Sequence, residues 1–399
     1  MAQTMRRAAA PAVQQSPVGS FFEIEAGRLA DIRTRMAAVR LDPSVPAQAQ
    51  PVRRLFEVLR AGGSYGLGYE AQRRREPRRP DEVLRTGRGD CDEFAFTFLA
   101  AARALGINAA MTLSRFTLSD SRSAIPHGAL SLTIGGQRFV VDPSLGRFRA
   151  VGDFSDATMR TELAPSLGLA GGAARLTNRV DMSSVQDMAA SAYFEMAQYR
   201  CPSGNAAVAP SRLDEALELL RLGVRSGAAN PAAIAMGRDV ALTLFKRYFD
   251  LAESAYLRRD YRTAERLYLR ALEVHSLVPS VASNHRDAIY RANETLGRMF
   301  SSSRRYADAV SRYAEARRLR PDIRQGYDFA LRALDVLASD PRNQQRLAHA
   351  QQGLALSAEA GRRFGTSPAL KRAYERSERH FRWLVERMGR TGAGTPASP

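Results

Sequence analysis

Cys91, His127 and Asp142 are the residues whose types and spacing could do chemistry together. The chain has two cysteines, Cys91 and Cys201, and five histidines, of which only His127 precedes residue 275. Any local base for Cys91 is therefore His127. An imidazole can take the proton of a thiol, and a carboxylate beside it can orient the ring and stabilise its charged form. Alone, each residue has an ordinary role: Cys91 as packing, His127 as a polar strand end, Asp142 as a turn former before Pro143. Their order and spacing favour the catalytic reading.

The elements that must position them are legible. DCDEFAFTFLAAARALG, residues 90–106, predicts a largely buried helix stopped at Gly106. Asp90 is placed to cap it, with Asp92 and Glu93 in its first turn. A helix N-terminus favours a thiolate, so Cys91 is set there as a nucleophile. HGALSLTIGGQRFVVD, residues 127–142, alternates around Gly135-Gly136 and predicts a two-residue β-hairpin. With Ile134 opposite Gln137, Asp142 falls opposite Ala129 and His127 opposite Ser144. His127 and Asp142 are then diagonal neighbours on one face, within side-chain reach.

Around this core the chain divides into five stretches. Residues 1–50 read as an N-terminal extension with one helix, and 51–150 as an α+β domain opened by an amphipathic helix over 51–62. Residues 151–182, rich in Gly, Ala, Ser and Thr, read as a linker, 183–390 as consecutive helices, and 391–399 as a disordered tail. The helical part repeats itself. Ala252, Ala264, Tyr268 and Ala271 recur as Gly297, Ala309, Tyr313 and Ala316, with Pro321 closing the second copy. Small residues let two antiparallel helices approach while the tyrosine fills the space between repeats. The pattern resembles the tetratricopeptide repeat, a helix-turn-helix unit of about 34 residues. The copies are 45 residues apart, so extra chain must lengthen a helix or loop near SLVPSVASNHR. Residues 213–227 read as a degenerate earlier copy.

The stretch from about Glu82 to Gly146 resembles the core of the transglutaminase-like superfamily, a papain-like cysteine fold. EVLRTGRGDCDEFAFTFLAAARALGI, PHGAL and FVVDPSLG carry the resemblance. It implies a nucleophilic role for Cys91, with His127 and Asp142 completing the triad on consecutive strands. GRGDCDEFA is especially similar to the bacterial transglutaminase-like cysteine peptidases, some of which bind calcium through acidic residues around the cysteine. Asp90, Asp92 and Glu93 are therefore calcium candidates, against their plainer role in helix capping; no other cofactor is implied. Many members have an aromatic shortly after the histidine, whereas here the run is His127-Gly128-Ala129. An upstream aromatic that helps form the oxyanion hole would be Tyr69, with Tyr65 behind it.

The fold class expected is thus an α+β papain-like, transglutaminase-like N-terminal domain followed by an all-α, tetratricopeptide-like C-terminal domain. Its function would be that of a cysteine peptidase or amidase acting on a protein or peptide, with the helical repeats binding a protein partner. Transfer of the acyl group to an amine is the alternative within the same chemistry. A non-catalytic scaffold with a relic papain-like domain is the alternative outside it. Composition excludes other classes. The net charge of +18 is divided as +8 in residues 1–150 and +10 beyond, and only Lys246 and Lys371 are lysines among 59 basic residues. Charge spread in this way lacks the stripe of a nucleic-acid reader. No stretch approaches the roughly 18 apolar residues of a membrane span. The first 20 residues lack the apolar core of a secretory signal, so a cytoplasmic location is expected.

Overall fold

Gly135 and Gly136 both adopt positive φ, at 55° and 80°, as a two-residue turn between right-twisted strands requires. They join β4 (Ala124–Ile134) to β5 (Gln137–Asp142), paired from Ile134↔Gln137 to Leu130↔Val141. The computed structural model describes residues 17–70, 76–121, 123–169, 174–203 and 208–392. The chain forms two units, Met1–Val240 and Ala241–Pro399.

In chain order the first unit holds α1 (Pro17–Phe21), α2 (Ala26–Ala38), α3 (Gln50–Leu59), β1 (Gly68–Tyr69), α4 (Pro80–Thr86), β2 (Arg88–Gly89) and α5 (Cys91–Ala104). Then come β3 (Ala110–Ser119), the β4–β5 hairpin, β6 (Arg147–Val151), α6 (Asp156–Leu163), β7 (Arg175–Met182), α7 (Val185–Arg200) and α8 (Pro210–Arg225). The antiparallel sheet runs β6-β5-β4-β3-β7, and β1 pairs separately with β2 in parallel. Every residue of α5 from Glu93 to Ala102 is buried, so the helix is all but apolar around its circumference, as a core helix must be. It packs against α3, α4 and β4. Phe116, Leu118, Ala129 and Val140 of the sheet form a second core with Met159, Leu163 and Ala164 at α6.

Three boundaries differ from expectation. The segment 151–182 is not a linker: α6 closes a core, and β7 adds an edge strand to β3. Its polar sequence and a bulge, with Asn178 at φ 54° between the Arg115 and Thr117 pairings, hide the strand period. Residues 17–50 are not an appendage, because Phe21 packs edge-on against Phe96 at 5.4 Å and Tyr193 at 5.3 Å. Finally, α7 and α8 belong to the first unit, α7 being buried almost throughout from Asp187 to Ala197. The expected disordered tail starts two residues early: the last helix reaches Gly392, and residues 393–399 lie outside the described residues, as do 1–16.

Next, α9 (Pro231–Leu257) begins in the first unit and ends in the second. The second unit continues with α10 (Tyr261–Leu277), α11 (Val281–Ser302), α12 (Tyr306–Leu319), α13 (Arg324–Ser339), α14 (Arg346–Phe364) and α15 (Pro368–Gly392). No helix among the described residues is long and apolar enough to cross a membrane. The matching small residues and tyrosines, Ala252 with Tyr268 and Gly297 with Tyr313, are all buried. The extra chain between copies forms the break after α10 and the start of α11, which kinks at His285.

Gly297 shows why a small residue is needed there, since an added Cβ would meet the Tyr313 ring at 2.5–2.8 Å. Alanine in a helix gains about 1 kcal/mol over glycine, but overpacking a filled core costs about 1–3 kcal/mol. Gly297→Ala is therefore expected to lower the urea midpoint of the second unit. A raised midpoint would show that the ring yields freely.

Candidate active site

The imidazole of His127 donates from Nε2 to Asp142 Oδ2 at 2.5 Å, with both side chains buried. The diagonal contact forms although the strand ladder ends one pair earlier, at Leu130↔Val141. Asp142 is also a turn former, its second oxygen accepting from Ser144 Oγ at 2.6 Å and the Leu145 N–H at 3.0 Å. The two roles are compatible because they use different oxygens. Fixed from both sides, the carboxylate has little freedom to leave the ring.

Cys91 opens α5 and is half-buried. Asp90 caps the helix by accepting from the Glu93 N–H at 2.9 Å, and Glu93 returns the bond to the Asp90 N–H at 2.9 Å. The backbone N–H of Gly128 bears on the Cys91 thiol and lowers its pKa. Gly128 is bonded directly to His127. Nε2 being held by Asp142, Nδ1 is the ring nitrogen left for the thiol.

Electrostatics alters the expectation of a standing thiolate. Burial pushes the Cys91 thiol up, and the Asp92 and Asp90 charges push it further, against only the Gly128 N–H among the leading influences. The positive helix end is outweighed by its own acidic first turn. At His127 burial is the largest single influence and lowers its pKa, but the charge and hydrogen bond of Asp142, with Asp92 and Asp90 behind, outweigh it and raise the value overall. Both groups, the thiol and the imidazole, are thus pushed up.

The other expected residues divide. Tyr69 is side by side with Gly89 in the β1–β2 pair, two residues before Cys91. Its hydroxyl is pushed up to about 12 by desolvation and then by the nearby Cys91, Asp90 and Asp142 charges. Tyr65 is not brought to the site: Arg35 stacks on its ring at 5.3 Å, and its charged neighbours are Asp31, Arg28, Arg35 and Asp81. Cys201 is buried at the C-terminal end of α7. The calcium candidates have protein partners. Asp90 and Glu93 are engaged with each other's backbone, Glu93 also accepts from the Arg78 N–H at 2.6 Å, and Asp92 pairs with Arg115 at 3.1 Å. No group of three or more His, Cys, Asp or Glu among the described residues is placed to hold a metal ion.

Sequence reasoning missed Arg115 on β3 and its partners on α7. Arg115 Nη1 donates to Ser191 Oγ at 2.9 Å and Nη2 to Glu195 Oε2 at 2.9 Å. A lone charge in the middle of the strand run TLSRFTL is the one available signal. With this geometry in place, comparison with known families gives one match. Residues 35–137 match the model of the transglutaminase-like superfamily. The chain therefore carries a transglutaminase-like domain, which starts inside the segment expected to be an extension. The match takes in Cys91 and His127 and ends where β5 begins, so Asp142 lies beyond it. No tetratricopeptide repeat is identified in the helical region. No curated protein matches the chain.

Within the transglutaminase-like domain Asp90 carries a testable electrostatic load. Burial, followed by the Glu93 and Asp92 charges, pushes its carboxyl up to about 7 from an ordinary 3.8. The folded chain then holds a proton that the unfolded chain releases, so this contribution to stability is present below about pH 4 and is lost as pH rises through about 7. Asp90→Asn keeps an equally good cap and removes the charge. The variant is expected to unfold at a higher denaturant midpoint than the parent at pH 8, with the gap closing toward pH 4. A lower midpoint at pH 8 would contradict this.

Proposed function

We propose that the chain is a cysteine hydrolase acting on peptide or amide bonds. The observation that carries the reading is the buried His127–Asp142 pair, whose neighbour Gly128 bears on the Cys91 thiol through its N–H. Cys91 attacks the substrate carbonyl as His127 Nδ1 takes the thiol proton, forming the C–S bond and an oxyanion. The Cys91 backbone N–H and the Tyr69 hydroxyl are the groups proposed to stabilise that oxyanion. His127 then returns the proton to the leaving amine as the C–N bond breaks, and water, deprotonated by the same ring, hydrolyses the thioester. Asp142 holds Nε2–H throughout and offsets the positive charge on the ring. Because the thiol is pushed up, proton removal accompanies attack.

The helices of the second unit are proposed to bind a protein, either a partner or the substrate itself. The recurring small residues and tyrosines are the support for a tetratricopeptide-like array, an architecture that uses its stacked helices for binding.

Labelling with iodoacetamide, resolved by peptide mass spectrometry, tests the catalytic reading. Cys91 is expected to react faster than buried Cys201, and His127→Ala to slow Cys91 at least tenfold, the lower range of general-base effects being roughly a hundredfold. Equal, slow labelling of both cysteines, untouched by His127→Ala, would sink it.

A further inference from the structure

Arg115 is a half-buried guanidinium with three partners on two elements. From β3 it reaches Ser191 and Glu195 of α7 and, with Nη2, Asp92 Oδ2 at 3.1 Å in the first turn of α5. Its plane lies over the Phe96 ring, with Cζ 5.7 Å from the centroid. Burial alone would lower its pKa, but Asp92 and Glu195 raise it overall, so the side chain stays charged. In the β3–β4 ladder its direct partner is Gly128.

The other oxygen of Asp92 is unusual. Oδ1 is buried and accepts no hydrogen bond. It occupies the place a Cβ on Gly128 would take, 2.1 Å from the ideal position. An orphaned carboxylate oxygen against bare backbone is unfavourable by itself, so something must hold it there, and the Arg115 pairing on Oδ2 does. Gly128 thus bears on two successive residues of α5, its N–H on the Cys91 thiol and its open Cα on Asp92.

We propose that Arg115 is a positioning residue for Cys91, pinning Asp92 onto Gly128 and so fixing the first turn of α5 against the strand that carries His127. The catalytic consequence rests on the hydrolase reading; the lock itself does not. Removing Asp92 also removes a charge that raises the thiol pKa, so a bare labelling rate would mix two effects. The informative quantity is the factor by which His127→Ala slows iodoacetamide labelling of Cys91, measured in the full-length chain for each background.

That factor is expected to be at least tenfold in the unmodified chain and to fall below about twofold in Arg115→Met and in Gly128→Ala. Arg115→Lys, which keeps the charge, should retain most of it. In Gly128→Ala combined with Asp92→Ala the methyl has room but the lock is gone, so the factor should stay low. An undiminished factor in Gly128→Ala or Arg115→Met, or its return in the combined variant, would overturn the proposal. Amide exchange of Glu93 and Phe94, whose N–H groups close the first turn onto Asp90, decides the lock separately. Faster exchange in Gly128→Ala supports it and unchanged exchange overturns it. No His127 dependence in the unmodified chain, with faster exchange in Gly128→Ala, would reject the hydrolase reading and leave the lock standing.

Discussion

The first turn of α5 is the constraint on which the site depends. Asp90 and Glu93 tie off each other's backbone N–H groups, and Cys91 stands between them on a helix buried for ten further residues from Glu93 to Ala102. Such a helix cannot rotate or slide without exposing phenylalanines, so its N-terminus has one place to be. Against it comes β4, whose path is set in turn by the two glycines of its hairpin. The strand presents His127 and Gly128 together, and Asp142 follows from the hairpin register. Two local elements therefore carry all three side chains without any long loop having to be ordered.

Charge decides how such a site can work. Asp90, Asp92, Glu93 and Glu195 crowd one end of α5, and Arg115 is the guanidinium that reaches into them. An excess of carboxylates pushes up both the Cys91 thiol and the His127 imidazole. The same crowding is costly to the fold, since burial raises both Asp90 and Glu195.

Much of this arrangement was legible in the sequence because it is local. The helix start at Asp90, the Gly135-Gly136 turn and the diagonal of His127 and Asp142 all follow from patterns within about 20 residues. What escaped is non-local or atypical. Arg115 finds Ser191 and Glu195 across more than 75 residues of chain, and no period connects them. Strand β7 is polar and bulged at the sheet edge, so it read as linker. Helix α7 has the composition of its neighbours in the helical half yet is buried in the first unit. Gly128 is the subtler case: in the sequence it is only a departure from the aromatic-bearing run of similar proteins, and in the structure it is the residue whose missing side chain gives Asp92 its seat. The charge of +18, the most conspicuous number in the sequence, explains nothing at the site, whose surroundings are acidic.

The central claim is that Cys91 forms a covalent acyl intermediate with help from His127. It is tested most directly by mixing the full-length chain with an activated peptide ester, quenching in acid and mapping the acyl group by mass spectrometry. The expected result is a thioester on Cys91 that is lost within minutes at neutral pH in the parent chain and persists in His127→Ala. No acyl group on Cys91, or one that turns over equally well without His127, would contradict it.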